Sequence, residues 1–223
     1  MQLEELVKDL NNYLEPEPIK DVSVNGLQVP GAEIVKRVAV ATDASMDSFE
    51  AAIEKGCNFL FVHHGIFWSY NREDRITPMK KKKLKFLFDN GLSLYASHLP
   101  LDLHPICGNN QKLFELIGLK NKQTMGFYQG TPIGLMGDLD SPISFNELCT
   151  DLEEKLNDSI KAYQFSNKPV KKIAMITGQG QSGIPEAETA GFDTFITGEM
   201  NHYMYYVAKE LNVNIILAGH YRT

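Results

Sequence analysis

Cysteine is scarce in this chain of 223 residues, which contains only Cys57, Cys107 and Cys149. The three are isolated, odd in number and form no Cys-x-x-Cys pair, so they offer no plausible disulfide framework. Reducing compartments keep such thiols unpaired. We therefore expect a reducing, cytoplasmic location for this protein.

Long apolar segments are also missing. No stretch approaches the roughly 18 consecutive apolar residues of a membrane-spanning helix. The opening stretch, MQLEELVKDLNNYLEP, is a charged amphipathic pattern without the apolar segment of a signal peptide. We expect neither a membrane partner nor a secretion signal.

An excess of positive charge is absent as well, since the formal net charge is −6. Nucleic acid needs local positive potential to bind its phosphates, so this balance does not favour it as the main partner. A basic run, Lys80–Lys83 with Lys85, spreads around a predicted helix, and we interpret it as a solvated face.

What the sequence does contain is an alternation of strands and helices, which predicts an α/β fold with largely parallel pairing. The dipeptide Asn25-Gly26 is typical of a turn or hairpin. The pattern of residues 126–139 is typical of short strands with turns. Ser144 and Glu147 form a capping box that opens a helix. The other predicted helices are 3–14 (ended by Pro16 and Pro18), 45–55, 78–90 and 109–117, and the other predicted strands are 35–42, 58–62, 92–97 and 161–165.

An internal repeat predicts two related α/β units. Residues 35–65 align without gaps on residues 170–200, with matching lysine, alanine, threonine and glycine positions. The match continues with LSLYASH, ending at His98, and NIILAGH, ending at His220. Any two strand–helix–strand units share a general pattern, but these identities favour duplication. We predict a first unit at 1–125 and a second at 126–223, whose segment from about 211 returns to the first unit's site.

Histidines follow several of the predicted strands, at His63, His64, His98 and His220. The carboxyl ends of parallel strands line the crevice where α/β proteins bind ligands, and Asp102 adds a carboxylate there. One such histidine alone would more often be a hydrogen-bonded core or surface residue, but the set indicates a metal site between the units. Imidazole and carboxylate suit Zn²⁺, Mn²⁺, Fe²⁺, Co²⁺ or Ni²⁺, and adjacent histidines are most natural on two ions.

The repeat also predicts a further carboxylate. Asp102 follows His98 by four residues, so an acidic residue is expected four residues after His220. The sequence stops at Thr223, one residue before that position. On this interpretation the sequence lacks one metal ligand.

The motifs VNGLQV, HHGIFW, HLPLDLH, TGEMNHY and AGHYRT occur in this order. In this combination the chain resembles, over its whole length, the Nif-three-like family, a domain of unknown function with many members named GTP cyclohydrolase I type II homologues. The resemblance implies a dinuclear metal site with ligands at His63, His64, Asp102 and His220, and at a glutamate just after Thr223. It also implies a ring-shaped homohexamer with metal sites facing an inner cavity, where repeated lysine runs could form a positive surface.

Glu199 and His202, in TGEMNHY, align with the end of the first unit's histidine strand. Facing the metals, they would be substrate contacts or acid–base groups. The alternative is a carboxylate at a helix N-terminus beside a structural histidine. His98 is a further ligand or, like His104, a partner that orients a ligand.

GQGQSG (178–183) matches Gly-x-Gly-x-x-Gly after a strand and before a helix, as in dinucleotide-binding folds. The next helix starts only at Pro185, and no acidic residue ends the next strand in the ribose-binding position. A tight turn is the better interpretation, and phosphate contact is the alternative. Phe67 and Trp68 are expected to pack the wall of the histidine site.

Two functions fit this pattern. The first is a metal-dependent hydrolase acting on a small, nucleotide-like substrate, with GTP cyclohydrolase activity as the family-derived version. One ion would be held by His63 and His220 and the other by His64 and Asp102, and a bridging water would ionise near neutrality. The second is a non-enzymatic metal-binding or interaction protein: a metal chaperone, a store, or a ring associated with nucleic acid.

Overall fold

The computed structural model describes residues 1–14, 19–68 and 75–223. The chain divides into two compact units, Met1–Leu101 and Asp102–Thr223, each with its own sheet, which confirms the predicted α/β class. Within the described ranges, no helix has the length and apolar character needed to cross a membrane. The predicted helix stop at Pro16 and Pro18 lies outside the described residues.

The first unit has a four-stranded sheet in the order β1-β4-β3-β2. The strands β2, β3 and β4 are parallel, and β1 is antiparallel to β4. Phe49, Leu60, Val62, Leu87 and Leu94 form part of the core beneath the helices α2 and α3. The elements are α1 (Leu3–Leu14), β1 (Gly26–Val29), β2 (Val38–Asp43), α2 (Met46–Glu54), β3 (Phe59–His64), α3 (Pro78–Asp89), β4 (Ser93–Ala96) and the short helix α4 (Leu99–Asp102), in which the two units meet in sequence.

The second unit has a six-stranded sheet in the order β5-β6-β8-β9-β10-β7. Two apolar clusters form its core; one contains Leu148 and Ile173, and the other contains Phe195 and Ile215. The elements are α5 (Asn109–Ile117), β5 (Lys120–Tyr128), β6 (Thr131–Ile143), α6 (Phe145–Leu156), β7 (Lys161–Tyr163), β8 (Val170–Ile176), α7 (Ile184–Thr189), β9 (Thr194–Thr197), α8 (Tyr203–Glu210) and β10 (Asn214–Leu217).

The same four-strand topology recurs in both sheets. The order β1-β4-β3-β2 is matched by β7-β10-β9-β8, with three parallel strands and an antiparallel edge strand in each case. Even the register agrees, since Val38 pairs with Phe59 and Ile173 pairs with Thr194, the positions that the gapless alignment equates. This recurrence is what a duplication would produce, and the duplication itself stays a prediction.

Strand register corrects the later part of the repeat. Ser97 and Ala218 are equivalent, because their N–H groups donate to equivalent carbonyls at the ends of β3 and β9. His98 follows Ser97 directly, whereas His220 follows Ala218 by two residues. The match of His98 with His220 is therefore wrong by one residue, and the spacing from His98 to Asp102 does not transfer to His220 by register.

Residues 126–139 differ most from their predicted structure. They belong to one long hairpin of β5 and β6, whose turn has Gln129 at φ +50° and Gly130 at φ +88°. Glycines in these two strands interrupt the alternation of apolar and polar residues by which a long strand is recognised. At Gly134 a Cβ would lie 2.5 Å from the Met175 carbonyl oxygen on β8, so only glycine allows that close approach.

Two further expectations meet a different structure. Gly26 begins β1, which pairs with the distant β4, so Asn25-Gly26 does not form a hairpin. The unit boundary falls after Leu101, earlier than the expected 125, because α5 packs Leu113 and Phe114 into the core of the second unit. The predicted capping box at Ser144 and Glu147 is present.

Candidate metal centre

Two adjacent histidines end β3 and meet a third from the loop after β4. The strand continues through His63 and His64 rather than ending at residue 62, and their ring centroids lie 4.6 Å apart. The His98 ring centroid lies 5.0 Å from that of His63 and 5.7 Å from that of His64. We call these residues the tri-histidine cluster; each offers a ligand nitrogen, and these nitrogens lie within 4.8 Å of one another.

Parallel pairing explains why residues so distant in sequence meet. Val62 pairs with Ala96, and the Ser97 N–H donates to the Val62 carbonyl oxygen, so β3 and β4 end at the same edge of the sheet. The residues just beyond that register, His63 and His98, therefore emerge together.

Each imidazole of the cluster is oriented by an oxygen at its Nδ1 atom. His63 Nδ1 lies 3.0 Å from the Ser97 carbonyl oxygen, and His64 Nδ1 lies 2.9 Å from Asp43 Oδ1. His98 Nδ1 lies 2.8 Å from Asp21 Oδ1. Engagement of Nδ1 makes Nε2 the nitrogen that can ligate a metal, and this is the usual arrangement around metal-binding histidines.

Asp21 is the more enclosed of the two orienting carboxylates. Its Oδ1 accepts from His98 Nδ1 and the Ser23 N–H, and its Oδ2 accepts from Asn25 Nδ2 and the Leu99 N–H. Burial alone would raise the pKa of Asp21, but the hydrogen bonds from His98, Asn25 and Ser23 outweigh it and lower the pKa to about 2. The carboxylate is therefore ionised at neutral pH.

Trp68 packs against the tri-histidine cluster, as expected. Its ring centroid lies 5.3 Å from that of His98 and 6.0 Å from that of His64. The indole Nε1–H donates to the Gly65 carbonyl oxygen at 3.1 Å, which fixes the ring across the loop. Phe67 instead packs against the core of the first unit.

Gln28 fastens the loop that follows the histidine pair. Its Oε1 accepts from the Ile66 N–H at 2.8 Å, and its Nε2 donates to the Val24 carbonyl oxygen at 2.7 Å. A Cβ on Gly65 would lie 2.3 Å from Gln28 Nε2, so only a glycine at this position leaves enough space for the Gln28 side-chain amide. Sequence reasoning missed Gln28 and the orienting residues Asp21, Asn25 and Asp43. The motif VNGLQV contains Asn25 and Gln28 and was a signal for those two residues only.

The second unit holds a carboxylate–imidazole pair. His220 Nδ1 lies 3.0 Å from Glu199 Oε1, and both side chains are partly exposed. Gly178, the first residue of GQGQSG, has φ +66°, and a Cβ there would lie 3.2 Å from His220 Nε2. Within GQGQSG, residues 178 and 179 belong to a turn, as the better interpretation of the sequence predicted, and a short 3₁₀ helix follows at Gln181–Gly183. The turn makes room for the His220 ring.

The remaining predicted residues of the second unit have local partners. Asp102 Oδ1 accepts from Asn109 Nδ2 at 2.7 Å. The buried His104 accepts at Nδ1 from the N–H groups of Ile106 and Cys107, so its ring orders its own loop. The exposed His202 lies at the start of α8, with its ring edge-on to Tyr206. The ligand roles of Asp102 and His104 stay predictions.

These features define a two-unit α/β protein with a candidate metal site at the strand ends of its first sheet. Across residues 1–223 the sequence matches the family model described as Duf34/NIF3 (NGG1p interacting factor 3). The chain belongs to this family, and the resemblance noted in the sequence is confirmed.

Several named relatives are similar over the full chain. The GTP cyclohydrolase 1 type 2 homolog of Archaeoglobus fulgidus is 40% identical over 223 residues, covering 100% of this chain and 88% of the relative. The protein of the same name from Pyrococcus horikoshii is 42% identical over 227 residues, with the same coverage.

Solved structures show the same fold. The protein ybgI, described as of unknown function, superposes with a TM-score of 0.90 at 35% identity, covering 100% of this chain and 88% of that one. Reduced HcgD from Methanocaldococcus jannaschii superposes with a TM-score of 0.85 at 26% identity, with the same coverage.

Proposed function

We propose that this protein binds divalent metal ions at the tri-histidine cluster and acts as a metal-dependent hydrolase on a small, nucleotide-like substrate. The observation that carries the proposal is that Nδ1 of each clustered histidine is engaged by an oxygen, which directs Nε2 to metal binding. Three neutral imidazoles suit Zn²⁺, Mn²⁺, Fe²⁺, Co²⁺ or Ni²⁺.

The proposed ligand set extends beyond the cluster. His63 and His64 would each serve a different ion of a pair, with Asp102 and His220 as further ligands on the strength of the family motifs alone. When bound, two ions supply a water that ionises near neutrality and polarise the scissile group. Glu199 and His202 are our candidates for substrate contacts or acid–base groups.

Enzymatic function and a nucleotide substrate are supported by the relatives' name, which denotes homology to a GTP cyclohydrolase. By the same family resemblance we infer a homo-oligomer, in the form of a hexameric ring.

The basic run gives little support to a nucleic-acid-binding ring. Lys83 donates to the Ala44 carbonyl oxygen, and Lys85 pairs with Asp89 at 2.6 Å. Lys80 Nζ lies 5.0 Å from the centroid of the Phe67 ring. Lys81, Lys82 and Lys85 are exposed to solvent. The run is therefore a solvated face of α3, and the contacts of Lys80 and Lys83 are local to the first unit.

Turnover tests the proposal. The protein would be stripped with a chelator, reloaded separately with Mn²⁺, Zn²⁺ or Fe²⁺, and incubated with GTP and other nucleotides, with products separated by chromatography. We expect product with at least one metal and none from the stripped protein or from the double variant His63→Ala/His64→Ala. Tight ion binding without product under any loading would refute the enzyme and favour a metal carrier or store.

A further inference from the structure

A buried carboxylate stands behind the third histidine of the cluster. The Asp21 side chain is only 2% exposed, although it lies in the connection between α1 and β1. A carboxylate removed from water is costly unless donors replace its hydration. Asp21 has four such donors, two on each oxygen, and two of the four belong to His98 and the next residue, Leu99.

Asn25 contacts both Asp21 and the backbone of His98. Its Oδ1 accepts from the His98 N–H at 2.8 Å, while its Nδ2 donates to Asp21 Oδ2 at 2.9 Å. Asp21 and Asn25 therefore hold the ring of His98, its own backbone N–H and the N–H that follows it. A single rotamer and a single backbone position of His98 satisfy all of these bonds together.

We propose that Asp21, braced by Asn25, is a positioning residue that makes His98 a metal ligand. The proposal rests on the proposed function, because it assigns a residue to the same metal site. By accepting the Nδ1–H proton in a hydrogen bond, Asp21 fixes the tautomer with Nε2 unprotonated and holds the His98 ring beside those of His63 and His64. The partial negative charge passed to the ring strengthens Nε2 as a ligand.

Asp43 provides a matched comparison within the same cluster. It contacts His64 Nδ1 at 2.9 Å, nearly the same distance as in the Asp21–His98 pair, but its side chain is 61% exposed. An exposed carboxylate competes with water for its partner, so its hold on the ring is weaker. Removing the charge at Asp43 should therefore affect metal binding less than removing it at Asp21.

The test compares Asp21→Asn and Asp43→Asn by calorimetric titration with Co²⁺ alone, on the full chain. In Asp21→Asn, the new NH₂ group faces two N–H donors in either amide orientation, so the contacts that hold His98 are disrupted. We expect about 10- to 100-fold weaker Co²⁺ binding for Asp21→Asn and a smaller loss for Asp43→Asn. Equal affinity of Asp21→Asn and the unmodified protein would overturn the proposal.

A double-variant cycle separates positioning from general stabilisation. If Asp21 acts through His98, Asp21→Asn should add no further loss of Co²⁺ affinity in a His98→Gln background. A full additional loss there would show that Asp21 acts elsewhere. Unchanged affinity in His98→Gln alone would show that His98 is not a ligand, which also overturns the proposal.

A measurement on the unmodified protein covers the case in which Asp21→Asn does not fold. Long-range nitrogen NMR of the imidazole rings reports the tautomer and, on addition of Zn²⁺, the metal-bound nitrogen. We expect His98 with Nδ1 protonated and its Nε2 resonance shifted by Zn²⁺ together with those of His63 and His64. A shift confined to His63 and His64 refutes only this proposal, whereas no binding of any ion refutes the proposed function as well.

Discussion

The carboxylate of Asp21 and the imidazole of His98 meet at 2.8 Å, although 77 residues separate them along the chain. The connection before β1 carries Asp21, and the loop after β4 carries His98. The histidines at the end of β3 lie beside this pair. An acid from one part of the sequence thereby orients an imidazole from another.

Trp68 should report metal binding by fluorescence. It is the only tryptophan of the chain, and its ring centroid lies 5.3 Å from that of His98. Co²⁺ has a partly filled d shell and quenches a nearby indole, so titration with Co²⁺ should decrease the emission until the site is filled. In His63→Ala/His64→Ala the decrease should be lost, and a persistent decrease would place the ion elsewhere.

Gly65→Ala should weaken both the fold of the first unit and its metal binding. The added methyl group would enter the space of the Gln28 amide, which must then release the Ile66 N–H. We expect a loss of about 1–3 kcal/mol in the free energy of unfolding, as for other overpacked sites. Urea unfolding and Co²⁺ titration measure the two effects.

Gln28→Ala tests the cause of that loss. It removes the amide that the new methyl group would strike, so the penalty of Gly65→Ala should be smaller in a Gln28→Ala background than in the unmodified protein. Strict additivity of the two substitutions would assign the effect of Gly65→Ala to some other contact.

Acid should destabilise the metal-free protein through Asp21. The folded-state pKa of about 2 lies below the ordinary value of 3.8, so the stabilisation is complete above pH 3.8 and is lost as the pH falls toward 2. The contribution is on the order of 2 kcal/mol, at 1.36 kcal/mol per pKa unit. Urea unfolding of chelator-treated protein between pH 5 and pH 2 measures it, and Asp21→Asn should show a flatter profile across this range.

Cys149 should react slowly with alkylating reagents. Burial raises the pKa of this thiol to about 11, and the negative charge of Glu153 adds to the effect. At pH 8 almost none of it is the reactive thiolate. Mass spectrometry after iodoacetamide treatment should show slow labelling in the folded protein and fast labelling in urea, and Glu153→Gln should speed the folded-state reaction modestly.

Local patterns in the sequence were sufficient for the α/β class and for many of its elements. Ser144 and Glu147 form the capping box that their spacing indicates, and Gly118 ends α5 at φ +81°. Such signals depend on neighbouring residues alone, so they survive in any fold. The β5–β6 hairpin was harder to predict from sequence. Its Gly134 allows the close approach of β8, a strand much later in the chain, and no pattern among neighbouring residues shows this contact.

The candidate site also has a part that local sequence patterns predict and a part that they do not. Adjacent histidines at a strand end were enough to indicate metal chemistry at His63 and His64, because parallel strands present their carboxyl ends to ligands. The sequence left open whether His98 was a ligand or an orienting residue, and it did not suggest Asp21 at all. Asp21 contributes through contacts with residues distant in sequence, and no local pattern encodes these contacts.

The fold class, the histidine pair and the family can be recognised from the amino-acid sequence without coordinates, since each rests on short-range patterns or ordered motifs. Three features needed the folded chain: His98 joins the pair, an oxygen engages Nδ1 of each of the three histidines, and a buried carboxylate lies behind His98. These features depend on hydrogen bonds and burial, which strand pairing sets between residues that are distant in sequence.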